Sequence, residues 1–330
     1  MAAVDSTTIS LWDILTLLFL FFFLYAVIYP QWQLKVIRMQ RQARLKRMEK
    51  RWSSKVLTMI HRRESISMFG LPAYQFIDEE DAEQVLRWIR TYRKYPLDLI
   101  LHTPGGQLHA SIQIARALKK HPKKTRVIIP HYSMSGGTMI ALAADEIVMD
   151  KDAVIGPIDP QIGDFVRGLY PAPSWIYAAE TKKEKADDST LVMSDISRKS
   201  LELTRKVAKE LLADKPKKAN NAGKAGKAGM ADNPGIAGDP GTANSSETAD
   251  NPGTADNPGM SGKAGSEQGR DIWVDEVVEK LVSGEMIHIT PLSAEEAKQF
   301  GLNVNTDFPP EVHEFMRFFR PAKMNVEYVE

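Results

Sequence analysis

The chain opens on one unbroken apolar run. Between Leu11 and Tyr29 only Asp13 is charged and only Thr16 is otherwise polar. A helix of that length reaches about 28 Å, close to the ~30 Å hydrocarbon layer of a bilayer. Trp12, Tyr25, Tyr29 and Trp32 stand near its two ends, where amphipathic rings favour an interface. Asp5 precedes the run and no Lys or Arg does, unlike a cleaved signal peptide, so residues 11–30 read as a retained transmembrane helix. A basic stretch follows, with Lys35, Arg38, Arg41, Arg44, Lys46, Arg47, Lys50 and Arg51. Positive charge beside a span marks the cytoplasmic face. The pattern therefore predicts a single-pass membrane protein: a short extracytoplasmic N-terminus over 1–10, a basic juxtamembrane helix over 31–52, and a body on the cytoplasmic side.

From residue 53 to 213 the period alternates. "SKVLTMIHR" reads as a strand and "DEEDAEQVLRWIRTY" as a helix with acids at its positive end. "PLDLILHT" and "TRVIIPHY" are buried strands, separated by the amphipathic "QLHASIQIARALKKH". "GGTMIALAADEIVMD" is an apolar helix passing into a strand. Strands alternating with helices of this length predict an α/β fold with a largely parallel sheet. Residues 214–270 break the pattern: Asn-Pro-Gly recurs and large apolar side chains are nearly missing, so the segment reads as a disordered insertion. Periodicity resumes over 271–304 in "DIWVDEVVEKLVSGEMIHITPLSAEEAKQFGL", where Ser293 and Glu296 make a capping box. Residues 305–330 read as a C-terminal tail.

Composition narrows the function. The 43 basic and 42 acidic side chains nearly cancel, which gives no electrostatic case for nucleic acid. With no cysteine, disulfides, thiolate metal sites and cysteine nucleophiles are excluded. The scattered His, Asp and Glu show no metal-ligand spacing, and no Gly-x-Gly-x-x-Gly turn with a following ribose-binding acid signals a dinucleotide. No cofactor or metal is expected.

Two strand-to-helix turns carry the chemistry. "LILHTPGGQLHA" places Gly105 and Gly106 after one buried strand, and "PHYSMSGGTMIA" places Ser135 before Gly136 and Gly137 after the next. Glycines at the carboxyl edge of a sheet let main-chain N–H groups face a ligand. A serine beside such donors is the minimum apparatus for acyl transfer. The alternative is that both turns are merely tight connections.

"LILHTPGG" with "PHYSMSGGTMIALAADEIVMDKDAVIGPIDPQIG" resembles the serine dehydrogenase proteinase family, membrane-anchored members of the Clp-protease/crotonase superfamily related to signal peptide peptidase A. "WVDEVVEKLVSGEMIHITPLSAEEAKQFGL" is similar to the ending of Clp-type peptidases. The resemblance implies stacked ββα units, a nucleophile at Ser135, an oxyanion hole of N–H groups at Gly105, Gly106 and Gly136, peptide or unfolded membrane-protein substrates, and a homo-oligomer. Clp-type enzymes carry a histidine about 25 residues after the serine; here that place holds Asp159. Relatives of signal peptide peptidase A use a lysine base. Val192, Ile196, Lys199 and Leu203 share one helical face, which makes Lys199 the first candidate base and Lys185 the second. His102 and His131 stand at strand ends near the turns, and His288 lies near where Clp-type enzymes place their acid. Two other readings compete: a crotonase-type enzyme acting on a coenzyme A thioester, and an inactive membrane scaffold.

Overall fold

A computed structural model describes residues 10–61, 65–66, 72–73, 76–164, 168–214 and 261–319. In chain order the elements are α1 (Leu11–Trp52), β1 (Lys55–Ile60), β2 (Ser65–Ile66), β3 (Pro72–Ala73), α2 (Glu79–Thr91), β4 (Leu97–His102) and α3 (Leu108–Lys119). Then come β5 (Thr125–Ile129), β6 (Tyr132–Ser133), α4 (Gly136–Ala143), β7 (Glu146–Met149), β8 (Val154–Ile155), β9 (Gln161–Asp164), β10 (Gly168–Pro171), α5 (Ala172–Lys182) and α6 (Asp188–Leu212). After residue 260 the chain adds α7 (Ser261–Val282), β11 (Leu292–Ser293), α8 (Ala294–Gln299), β12 (Val304–Asn305) and α9 (Pro310–Met316).

The centre is a five-stranded sheet of order β1-β4-β5-β7-β12 in which every pairing is parallel. Every residue of β4 is buried, as a strand covered on both faces requires. Because side chains alternate across a strand, Leu99, Leu101, Val127 and Ile129 enter one core, with α2, α3, α4, α6 and α7. Ile100, Ile128 and Val148 point the other way, into a smaller core closed by Met48 of α1 and by Val312, Phe315 and Met316 of α9. The α/β expectation holds, with a small second sheet of order β11-β8-β6 beside the main one.

Three boundaries differ from the sequence reading. The span and the basic segment are not two helices; α1 runs without a break over 42 residues. Residues 261–270, expected inside the insertion, begin α7, a helix anchored further along by the buried Trp273, Val277, Val278 and Leu281. The rest of the insertion, 215–260, lies outside the described residues. Residues 310–319 are not a tail, since Val312, Phe315 and Met316, spaced three and four apart, are all buried.

Candidate active site

β4 stops at His102, and the chain reaches α3 through Thr103-Pro104-Gly105-Gly106. Gly105 has φ 106°, open to glycine and costly for other residues. A Cβ there would lie 2.8 Å from Ser135 Cβ, so the two turns touch at this point. A Cβ on Gly106 would sit 2.2 Å from the carbonyl oxygen of Ile77, whose main chain brackets the turn by accepting from Gln107 N–H and donating to Gly105 O, both at 2.8 Å. Thr103 ties the turns together: its N–H donates to Tyr132 O at 3.2 Å, and its carbonyl accepts from Met134 N–H at 3.0 Å.

Ser135 adopts φ 49° and ψ −118°, a strained conformation for a residue with a side chain. It is the N-cap of α4, yet its hydroxyl makes no capping hydrogen bond, which leaves the oxygen for other work. Gly136 opens the helix, where a free N–H and the positive end of the helix dipole favour negative charge. Among the described residues no acceptor in the chain meets the N–H of Gly106 or of Gly136. Gly105 differs from expectation. Its N–H turns inward to Thr103 Oγ1 at 3.2 Å, so it shapes the turn and the two glycines beside it hold the available donors.

A cleft of about 650 Å³ opens over both turns. Ser135, Gly105, Gly106 and Gly136 line it together with His288, and Phe76, Leu108, Met139, Ile158, Ile162 and Leu169 make apolar walls. His288 Nδ1 lies 2.8 Å from Oδ1 of Asp159, which is 1% exposed and also accepts from Gln161 Nε2 at 3.1 Å. This pairing follows from strand register. β11 runs antiparallel to β8 with Leu292 opposite Ile155; four residues before Leu292 is His288, and four after Ile155 is Asp159. A main-chain bond from Ile158 N–H to Leu281 O, 2.8 Å, holds the two segments together at the end of α7.

The structure does not bring the lysines to the serine. The face carrying Lys199 is the solvent face of α6: Val192, Ile196 and Leu203 are 55%, 41% and 44% exposed, and the Lys199 ammonium donates to Asp195 at 2.6 Å. In the first half of α6 the buried face is made of small polar residues, Thr190, Ser194 and Ser197, which apolar periodicity does not reveal; Leu201, Val207, Leu211 and Leu212 take over further along. Lys185 is exposed in a short 3-10 turn. His102 is buried with its ring 4.1 Å from that of Tyr132 and 5.5 Å from that of His131, and neither histidine lines the cleft. Sequence reasoning named both His288 and Asp159 but could not join them, because their meeting depends on a two-residue strand pairing.

An α/β sheet edge that presents a strained serine in the second of two touching glycine turns has the layout of an acyl-transfer hydrolase. The chain matches the model of the ClpP-like SDH-type serine proteinases over residues 5–230, and it belongs to that family. Two uncharacterised proteins of Methanocaldococcus jannaschii are similar over most of their length. One is 40% identical, covering 90% of this chain and 85% of that protein; the other is 38% identical, covering 96% and 91%. Among solved structures, a membrane-bound stomatin-specific protease aligns with a TM-score of 0.39 at 15% identity, over 74% of this chain and 79% of that one.

Proposed function

We propose that the chain is a membrane-anchored serine endopeptidase whose nucleophile is Ser135 and whose general base is His288, oriented by Asp159. In this reading Ser135 Oγ attacks the substrate carbonyl while its proton passes to His288 Nε2. The buried Asp159 carboxylate holds the Nδ1–H and steadies the imidazolium that forms. The oxyanion is received by the N–H groups of Gly106 and Gly136 at the head of α4. The observation that carries the proposal is the sharing of one cleft by a strained, uncapped serine and a histidine already bonded to a buried carboxylate. The exposed ion pair of Lys199 gives no support to a lysine base.

The apolar cleft walls favour a bulky apolar substrate side chain. Membrane attachment is supported by α1, whose Phe19, Phe21 and Phe22 are each more than two-thirds exposed, an apolar surface soluble proteins seldom leave bare. Self-association is supported by further exposed apolar side chains, Val192, Ile196 and Leu203 on α6 and Tyr177, Ile287 and Ile289 elsewhere.

The test is digestion of a complex peptide pool by the full chain in detergent, with new termini read by mass spectrometry. Wild type is expected to cleave before or after bulky apolar residues, and Ser135→Ala not at all. His288→Ala should lose about a thousandfold or more in kcat, while Lys199→Met stays at the wild-type rate. Cleavage that survives in Ser135→Ala would end the proposal, and a dead Lys199→Met beside an active His288→Ala would return the base to the lysine.

A further inference from the structure

Behind the first glycine turn lies a second cavity, of about 510 Å³, which shares Phe76 with the substrate cleft. His61 and Asp81 line it, and solvent reaches them there, with side chains 10% and 28% exposed. His61 Nε2 is 3.1 Å from Asp81 Oδ2, and its other nitrogen, Nδ1, is 3.0 Å from Thr103 Oγ1. Thr103 Oγ1 in turn accepts from Gly105 N–H at 3.2 Å and is placed to donate to Gly105 O at 3.3 Å. Asp81 thus reaches the oxyanion turn through two side chains. The peptidase chemistry proposed above uses none of these three residues.

The hydroxyl of Thr103 has one proton and two acceptors competing for it. Beside the Asp81 carboxylate, Nε2 keeps its hydrogen. When His61 is neutral, Nδ1 is then an acceptor, and the Thr103 hydroxyl donates its hydrogen bond there. When His61 is protonated, Nδ1 becomes a donor, and the hydroxyl is released to bond Gly105 O. We propose that Asp81, His61 and Thr103 form a positioning device for the oxyanion turn, which protonation of His61 tightens and deprotonation loosens. Its consequence for catalysis rests on the serine-peptidase reading; the mechanical coupling does not.

The charged and titratable groups around His61 come from α2 and β4, with others beside it in the chain. α2 contributes Asp81 and Asp78, both lining the cavity, with Glu79 in the same turn engaged by His109 of α3. β4 contributes His102, whose carbonyl accepts from His61 N–H at 2.7 Å. Arg62, Arg63 and Glu64 follow His61 directly in the chain. Burial would raise the Asp81 carboxyl, but the hydrogen bond and charge of His61, with the N–H of Asp78, hold it below the usual carboxylate range, so it stays ionised as the partner of Nε2.

The coupling is read without catalysis by hydrogen–deuterium exchange of residues 103–107 in the full-length Ser135→Ala protein, corrected for the intrinsic effect of pH. Protection is expected to fall about tenfold as the pH rises through the range where imidazoles titrate, about 5 to 8. The step should vanish in His61→Gln and in Thr103→Val. In the active chain Thr103→Val should lower kcat about tenfold with KM nearly unchanged, and Thr103→Ser should restore most of it. A flat profile, or a step that persists without the His61 imidazole, overturns the proposal. If His61→Gln fails to fold, Thr103→Val, which keeps the imidazole and is close in shape, decides it. A wild type that shows the step but hydrolyses no peptide refutes the peptidase reading and leaves the positioning device standing.

Discussion

Gly136 shows how little room the site leaves at the scale of one residue. A Cβ there would lie 2.2 Å from Ser111 Oγ and 3.0 Å from Ser111 Cβ. Gly136→Ala should therefore displace the head of α4, costing about 1–3 kcal/mol of stability and most of the activity assigned to the Gly136 N–H. Pairing it with Ser111→Ala removes the closer contact but not the farther one, so the double variant should recover part of the melting temperature and little of the rate. A Gly136→Ala enzyme with wild-type kinetics would show that this N–H does not meet the substrate. The glycines and Ser135 were legible from the sequence because a turn leaves a mark in residue type. The base was not. His288 and Asp159 lie 129 positions apart, and only the antiparallel register of β8 with β11 makes them neighbours.

Among the elements, the long buried strands were the easiest to read, and the short C-terminal helix was missed. α9 opens on Pro309-Pro310 and spans only seven residues, yet with α1 it covers the second face of the sheet. Phe315 is fully buried there, so Phe315→Ala should cost about 3–5 kcal/mol, visible as a lower urea midpoint; a loss of only a few tenths would make the segment a tail after all. The edge strand β12 is held differently. Its Asn305 donates to Glu146 of β7 at 2.9 Å, and Lys124 approaches the same carboxylate at 2.6 Å. Burial would raise the Glu146 carboxyl, but these partners hold it below the usual range. A carboxylate lowered in the folded state adds stability above its unfolded pKa and loses it as the pH falls through the folded value. Urea midpoints measured from about pH 6 down to pH 3 should drop less steeply in Glu146→Gln than in wild type.

For the whole molecule, the misread face of α6 turns from an error into information. Its apolar periodicity is real, but Val192, Ile196 and Leu203 look outward, while over the same turns the buried side carries Thr190, Ser194, Ser197 and Thr204 around a single Leu201. A pattern of apolar residues tells which face seeks cover without telling what covers it. We expect a second copy of the chain to do so. Ile196→Glu should reduce the mass of the detergent-solubilised particle, measured by light scattering, and leave the melting temperature of the body nearly unchanged. An unaltered particle mass would exclude α6 from the interface.

The unbroken α1 has a mechanical meaning under the membrane-anchored reading. Its basic half is clamped to the C-terminal segment: Arg41 donates to Phe318 O at 2.5 Å and stacks over Phe319, Arg44 pairs with Glu314, and Trp52 donates to Glu311 at 3.1 Å. No swivel therefore separates the apolar rod from the sheet. Residues 31–40, between the span and the first clamp at Arg41, add about 15 Å at about 1.5 Å per residue, a fixed spacer between the lipid and the body. Such a spacer selects by tether length. A peptide bond held close to the bilayer by its own anchor would pass beneath the serine, and only a segment able to rise to that height would be cut.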